Sequence, residues 1–355
     1  LPGISHDREI SDRRNHDATA RGKELVGKLK LSFSCTNLDR ARPLIDGTVE
    51  PEGIDLNMIM VPVPERHDRM TRNLDFDACE YSLATYLAAK EGGLPITAIP
   101  VFPHRQFRHE SIFIREKPDL KGPKDLEGRR IGVPHYTNST GVWARGILSH
   151  EYGVDFKDCS WVTERDDEVP NWEPPSGVKV ERQPGNERLP SAFERGDFDV
   201  LIYPPVPQAV AQNKPGFRRL FPEYQKEAIA YFRKTRIFPI MHCIVIKDEI
   251  LERYPWVTLS LAKAWAQARK IMHGHLPRQS SSLLWYRDYW SEQREIFGDL
   301  WAYGLAANRH VIEQEIEYEL EQGILKRRPK VEDLFAKNTL DWQEQERWVG
   351  VSGRI

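Results

Sequence analysis

The stretch Phe102-Pro103-His104-Arg105-Gln106-Phe107-Arg108-His109-Glu110 puts two arginines and two histidines into one short connection between apolar runs. A guanidinium offers a planar fork of donors that matches a carboxylate. An imidazole gives or takes a proton near neutral pH. The stretch therefore suits a small acidic ligand and proton chemistry on it. A solvated basic loop is the ordinary alternative. The functional reading ranks above it because other segment ends carry similar groups.

Glu80 ends an apolar run. Desolvation there raises a carboxyl pKa and a neighbouring arginine lowers it, so Glu80 is either a proton acceptor or half of an ion pair. Ser139 and Thr140 stand ahead of a helical stretch, where hydroxyls and free amides hold an anion or cap the helix. Tyr203 precedes Pro204-Pro205 and is placed to stack on a ring or bond to it. His242 sits inside an apolar run, where a satisfied core histidine competes with a cleft-facing one. Arg105 and Arg108 are the expected carboxylate clamp, with Arg40 as a third cation. His109 and His104 are the expected proton-transfer pair. His104, His109, His242 and Glu80 are metal-binding residue types, but their spacing matches no short metal motif, so no metal ligand is assigned and a divalent ion stays open. No organic cofactor is expected, since no glycine-rich phosphate loop follows a strand.

The elements that must position these groups alternate between strand and helix. Strands are expected at 29–35, 53–60, 76–80, 96–101, 111–114, 130–134, 159–162, 198–203 and 238–246. Helices are expected at 65–72, 83–90, 141–152, 189–195, 223–235 and 255–273, with Ser82 capping the second and Gly153 ending the third. Residues 102–110 form a loop, and the acidic, proline-rich 164–188 a surface excursion. Such alternation implies parallel sheets covered on both faces. Two series, joined near 130 and 236, imply two lobes. Residues 29–127 plus 237–342 make the first and 128–236 the second, with a disordered tail at 1–28 and a C-terminal tail at 343–355. Open sheets bind ligands beyond their strand ends, so the expected site is a cleft between lobes that closes by hinge motion.

Composition removes other classes. Acidic and basic residues nearly balance, with a formal net charge of -2, so no basic face for nucleic acid is expected. No apolar run is long enough to span a membrane. The four cysteines are far apart and form no C-x-x-C pair, which suggests neither a zinc site nor a disulfide framework. A reducing compartment follows. The apolar C-terminal helices are candidates for a subunit contact in a homo-oligomer.

From about residue 29 to 342 the chain resembles the 4,5-dihydroxyphthalate decarboxylase family. The resemblance rests on Arg40-Ala41-Arg42, Pro51-Glu52-Gly53-Ile54-Asp55-Leu56, Phe76-Asp77-Ala78-Cys79-Glu80-Tyr81-Ser82-Leu83, and Ile99-Pro100-Val101-Phe102-Pro103 with Arg105, Phe107, Arg108 and His109. It extends through Arg130-Ile131-Gly132-Val133-Pro134 and Val142-Trp143-Ala144-Arg145-Gly146-Ile147-Leu148. The segment His135-Tyr136-Thr137-Asn138-Ser139 departs from the loop associated with the family. The resemblance implies an α/β, two-lobe fold of the type II periplasmic-binding-protein kind turned to catalysis. It also implies a cytoplasmic lyase that removes carbon dioxide from a hydroxylated aromatic dicarboxylate, as in 4,5-dihydroxyphthalate to protocatechuate.

Losing carbon dioxide directly from an arene would leave a ring carbanion. Protonating the carboxylate-bearing carbon first is easier, and a para hydroxyl assists it. The site then needs an acid at that carbon, an acceptor for the phenol proton and cations for the carboxylates. His109 and His104, Glu80, and the arginines fill these roles. The rival from another class is a solute-binding protein that captures an aromatic carboxylate for ABC-type transport, which the same fold permits.

Overall fold

A computed structural model describes residues 27–344, except 170, 171, 186, 279 and 280. The expected tails at 1–28 and 343–355 therefore lie almost wholly outside the described residues. Among the described residues eleven strands form two sheets: β1 (Leu29–Ser34), β2 (Ile54–Met58), β3 (Ala78–Ser82), β4 (Ile96–Arg105), β5 (Ile112–Arg115), β6 (Arg130–Val133), β7 (Ser160–Thr163), β8 (Lys179–Arg182), β9 (Val200–Ile202), β10 (Phe217–Arg219) and β11 (Ile240–Lys247). The first sheet runs β2-β1-β3-β11-β4 and the second β10-β5-β9-β6-β7-β8.

Neither sheet is purely parallel. β11 lies antiparallel to β3 and β4, and β5 antiparallel to β9 and β10. Both are strands that enter a sheet from the other one, so no βαβ unit sets their direction. The chain leaves the first sheet between β4 and β5 and returns between β10 and β11. A boundary at residue 128 would fall between β5 and β6, both in the second sheet. The change of sheet lies earlier, at 106–111.

β4 also runs further than expected. It continues through Pro100 and Pro103 to Arg105, pairing Arg105 with Ile240 and His104 with His242 across register shifts. β4 is an edge strand, where the missing N–H of proline is tolerated. The adjacent His104 and Arg105 thereby point to opposite faces.

Helix Leu83–Glu91 starts at Ser82, whose Oγ accepts from the Thr85 amide at 3.3 Å. Helix Ser139–Tyr152 ends at Gly153 with φ 68°. Its N-cap is Asn138, and Ser139 already lies within the helix. Trp143 is fully buried and donates Nε1–H to the Ile240 carbonyl at 3.0 Å, which ties this helix to β11. Removing such a ring costs roughly 3–5 kcal/mol. At Gly146 a Cβ would stand 2.2 Å from the Tyr318 ring, so only glycine admits helix Leu305–Glu321 here. Among the described residues no helix is long and apolar enough to cross a membrane. Residues 164–188 are not a mere surface excursion: they supply β8, and Asp167 and Glu168 turn inward.

Candidate active site

Every residue of β3 is buried, Glu80 among them. The partners of its carboxylate come from three elements. His242 of β11 places Nδ1 2.5 Å from Oε1. The Thr36 amide, beyond β1, donates to Oε2 at 2.6 Å. Arg66, from helix Val63–Asn73, sets Nη2 3.2 Å from Oε2 and also donates to the Glu80 carbonyl and the Thr36 hydroxyl, each at 2.9 Å. Burial by itself would raise the Glu80 pKa. The charges of Arg66 and His242 outweigh it and hold the carboxyl well below the usual range. Glu80 is a buried anion.

Three imidazoles meet beside it. The His104 ring stands edge-on to His242 with centroids 4.7 Å apart, and His67 does the same from the other side at 5.1 Å. Burial, helped by the neighbouring His242, drops the His104 pKa well below its ordinary value. Burial lowers that of His67 to about 4, against the pull of Glu168. Both rings are neutral at pH 7.

The opposite wall comes from the second sheet. Glu168 takes Arg165 Nη2 at 2.6 Å and His135 Nε2 at 3.3 Å on one oxygen. Its other oxygen faces Thr85 Oγ1 at 3.4 Å and His67 Nδ1 at 3.7 Å, both from the first lobe. Glu168 thus joins the two lobes. Burial opposes charge on His135, but Glu168 and Asp167 outweigh it and raise its pKa to about 9. Ser139 makes a second link, with its Oγ 3.0 Å from Ser82 Oγ, 3.0 Å from the Met241 carbonyl and 3.2 Å from the Ala84 amide. Asn138 occupies the Gly141 amide at 2.8 Å. The amides of Ser139 and Thr140, in the first turn, have no intrahelical acceptor.

Of the residues singled out from the sequence, the fold brings Glu80, His104 and His242 together, with Ser139 and Thr140 at the adjoining helix start. Arg40 lies close by. Its Nε donates to the Pro103 carbonyl, one residue before His104, and its guanidinium covers the Trp301 ring at 3.8 Å.

Four others are elsewhere. Arg105 lies on the far face of β4 and bonds Asn308 and the Ala302 carbonyl. Arg108 is buried against Met241 Sδ, Gln106 and Ser111. His109 sits in a 3-10 turn among Tyr152, Phe221 and Tyr231, with neither ring nitrogen hydrogen-bonded, and burial takes its pKa to about 4. Tyr203 donates to Glu164 and accepts from Arg188, at 2.8 and 2.7 Å. The two arginines and His109 leave the site for two reasons: strand alternation turns Arg105 away, and the chain has crossed between lobes by Arg108.

Arg66, His67, His135, Asp167 and Glu168 were not singled out. One signal existed for the first two. The buried face of helix Val63–Asn73 is Arg66, His67, Met70 and Thr71, so that helix has no wholly apolar stripe to bury.

Glu80, His104 and His242 each offer a ligand atom, all within 4.8 Å of one another. Two imidazoles and a carboxylate are a set that binds divalent ions. Here, however, Glu80 already holds His242, the Thr36 amide and Arg66. An ion would have to break the His242–Glu80 bond and sit near the Arg66 cation. As arranged, Glu80 is bonded to His242, and the His104 ring stands edge-on to His242.

A family model described as NMT1/THI5 like matches residues 50–170. A 4,5-dihydroxyphthalate decarboxylase of Comamonas testosteroni is 33% identical over 326 residues, covering 89% of this chain and 99% of the relative. One from Pseudomonas putida is 36% identical over 220 residues, covering 60% of this chain and 85% of that one. Among solved structures, the alkanesulfonate-binding protein SsuA from Xanthomonas axonopodis pv. citri, bound to MOPS, aligns with a TM-score of 0.55 at 13% identity, covering 88% of this chain and 98% of that one. A Candida albicans protein described as having the generic periplasmic binding protein fold aligns with a TM-score of 0.51 at 12% identity, covering 84% and 91%. These likenesses establish the two-lobe periplasmic-binding-protein-like fold.

Proposed function

The chain belongs to the 4,5-dihydroxyphthalate decarboxylase family and is a carboxy-lyase, and on that premise we propose that it converts 4,5-dihydroxyphthalate to protocatechuate and carbon dioxide by ring protonation. The observation that carries this reading is the Glu80–His242 bond with the His104 ring edge-on beside it, read as a proton relay. Glu80 holds the Nδ1–H of His242, which leaves Nε2 for the substrate. His242 delivers the Nε2 proton to the ring carbon that bears the departing carboxylate. His104 accepts a hydrogen bond from the para hydroxyl, whose oxygen pushes electrons toward that carbon. The bond to the carboxylate then breaks, its electron pair restores the ring, carbon dioxide leaves, and solvent returns a proton to His242.

The free amides of Ser139 and Thr140 and the guanidinium of Arg40 hold the carboxylates. Buried His67 beside half-buried His104 leaves the departing group poorly solvated. A cytoplasmic setting is supported by four free, buried thiols. A homo-oligomer is supported by the exposed Leu283, Leu284, Trp285 and Tyr289 around helix Tyr286–Phe297.

The test is to mix purified protein with 4,5-dihydroxyphthalate and follow carbon dioxide and protocatechuate. Stoichiometric release of both supports the reading. Tight binding without turnover would overturn the substrate assignment and favour another aromatic acid. Neither binding nor turnover would remove this ligand class.

A further inference from the structure

On the face of β4 opposite His104 lies a cavity of about 210 Å³, lined in part by Arg105, Phe232, Arg236, Phe238, Phe297 and Asn308. Its walls are aromatic. The Phe107 ring closes the group, with centroids 4.7 Å from Phe238, 5.6 Å from Phe297 and 6.5 Å from Phe232.

The cavity is also cationic. Arg105 is only 6% exposed, its Nη2 meets neutral acceptors alone, and its Nε has no partner. Asp299, the acid on this wall among the described residues, is held through both oxygens by Arg269 at 2.9 and 3.0 Å. Arg236 lies at the mouth, over the Phe232 ring at 4.5 Å, with no carboxylate paired to it among the described residues. A buried guanidinium without a counter-ion is costly, and burial lowers that of Arg105 to about 9. An anion in the cavity would relieve that cost.

The walls come from both connections between the lobes. Arg105 ends β4 where the first begins, and Arg236 and Phe238 belong to the second. Anything bound here touches both hinges at once.

We propose that this cavity is a second binding site, distinct from the relay, for a single-ring aromatic monocarboxylate, whose occupancy fixes the angle between the lobes. The ring lies among Phe232, Phe238 and Phe297, and the carboxylate meets the Arg105 guanidinium and Arg236. The volume suits one ring and is below that of sites for larger ligands. The site itself does not depend on the substrate assigned above. Only the corollary that the reaction product belongs to this ligand class rests on that reading.

The test uses benzoate, which lacks the hydroxyls and the second carboxylate, in calorimetric titration of the full chain. Arg236→Gly removes the cation and suits the left-handed backbone at that position (φ 60°). Ala307→Phe fills the mouth of the cavity. His242→Asn probes the relay. The proposal expects both cavity variants to weaken benzoate binding about tenfold or more, with unchanged thermal unfolding, and His242→Asn to bind as wild type does. Benzoate binding unaffected by the cavity variants, lost in His242→Asn, or absent from wild type would overturn it. None of these outcomes requires turnover.

Discussion

Glu80 Oε1 and His242 Nδ1 stand 2.5 Å apart between the neighbouring strands β3 and β11, with the Glu80 side chain wholly buried. A carboxylate on one ring nitrogen fixes the tautomer and leaves the other nitrogen for substrate. The same carboxylate faces Arg66, so one buried anion holds both a cation and a histidine.

Glu80→Gln keeps the shape and removes the charge. Turnover is expected to fall about 10²-fold or more, with the Michaelis constant little changed. Arg66 would also lose its counter-ion and the fold some stability. Steady-state kinetics beside a thermal melt separates the two effects. A folded Glu80→Gln enzyme with wild-type turnover would remove the relay.

His104 and His109 are expected to differ sharply. His104→Asn should lower turnover about 10²-fold or more. His109→Phe should leave turnover within about threefold, because its unbonded ring packs only on aromatic neighbours. Equal losses in both variants would return His109 to the site.

Alkali should loosen the junction of the lobes. The His135 pKa is raised in the folded chain to about 9, above its ordinary 6.5. Stability from charged His135 against Glu168 and Asp167 is therefore fully present below about 6.5 and lost as pH rises through about 9. The shift corresponds to on the order of 3 kcal/mol. Melting temperature measured from pH 6 to 10 should decline in wild type, with a smaller decline in His135→Gln. Parallel curves would contradict the linkage.

Glu315 has both oxygens buried and without a hydrogen bond, and burial raises its pKa well above the usual range. The unfolded chain ionises this group and the folded chain resists it, so stability falls as pH rises above the ordinary carboxyl value. Glu315→Gln should remove that loss and stabilise the fold near neutrality, and less so at pH 4. Denaturant titration at both pH values reads it. Destabilisation at pH 7 would mean that the Arg108 charge nearby needs this carboxylate.

Exhaustive chelation should leave turnover unchanged, because Glu80 and His242 are bonded to each other. Loss of activity restored by one divalent ion would instead turn Glu80, His104 and His242 into ligands.

Much of the fold was legible because it is local. Ser82 as a cap and Gly153 as a helix end follow from neighbouring residues. Glu80 and His242 stood out as polar groups in apolar runs. The loop around His104 misled because prolines read as breaks, whereas an edge strand absorbs them. Once β4 reaches Arg105, alternation alone separates His104 from it. Glu168 was hidden for another reason. An acidic, proline-rich stretch looks solvated until His135 and His67, both distant in sequence, join the nearby Arg165 to draw its carboxylate inward.

The outer side of β4 is closed by the chain's own later residues. The Gly304 amide donates to the Pro100 carbonyl, the Ala336 amide to that of Ala98, and Ala98 bridges Phe335. An uncovered strand there would be a template for another molecule's backbone. The prolines and this C-terminal seal thus keep the strand that carries His104 from recruiting a second chain, so the late helices guard solubility as well as shape. A chain cut before Gly304 would lose that protection while retaining all three relay residues.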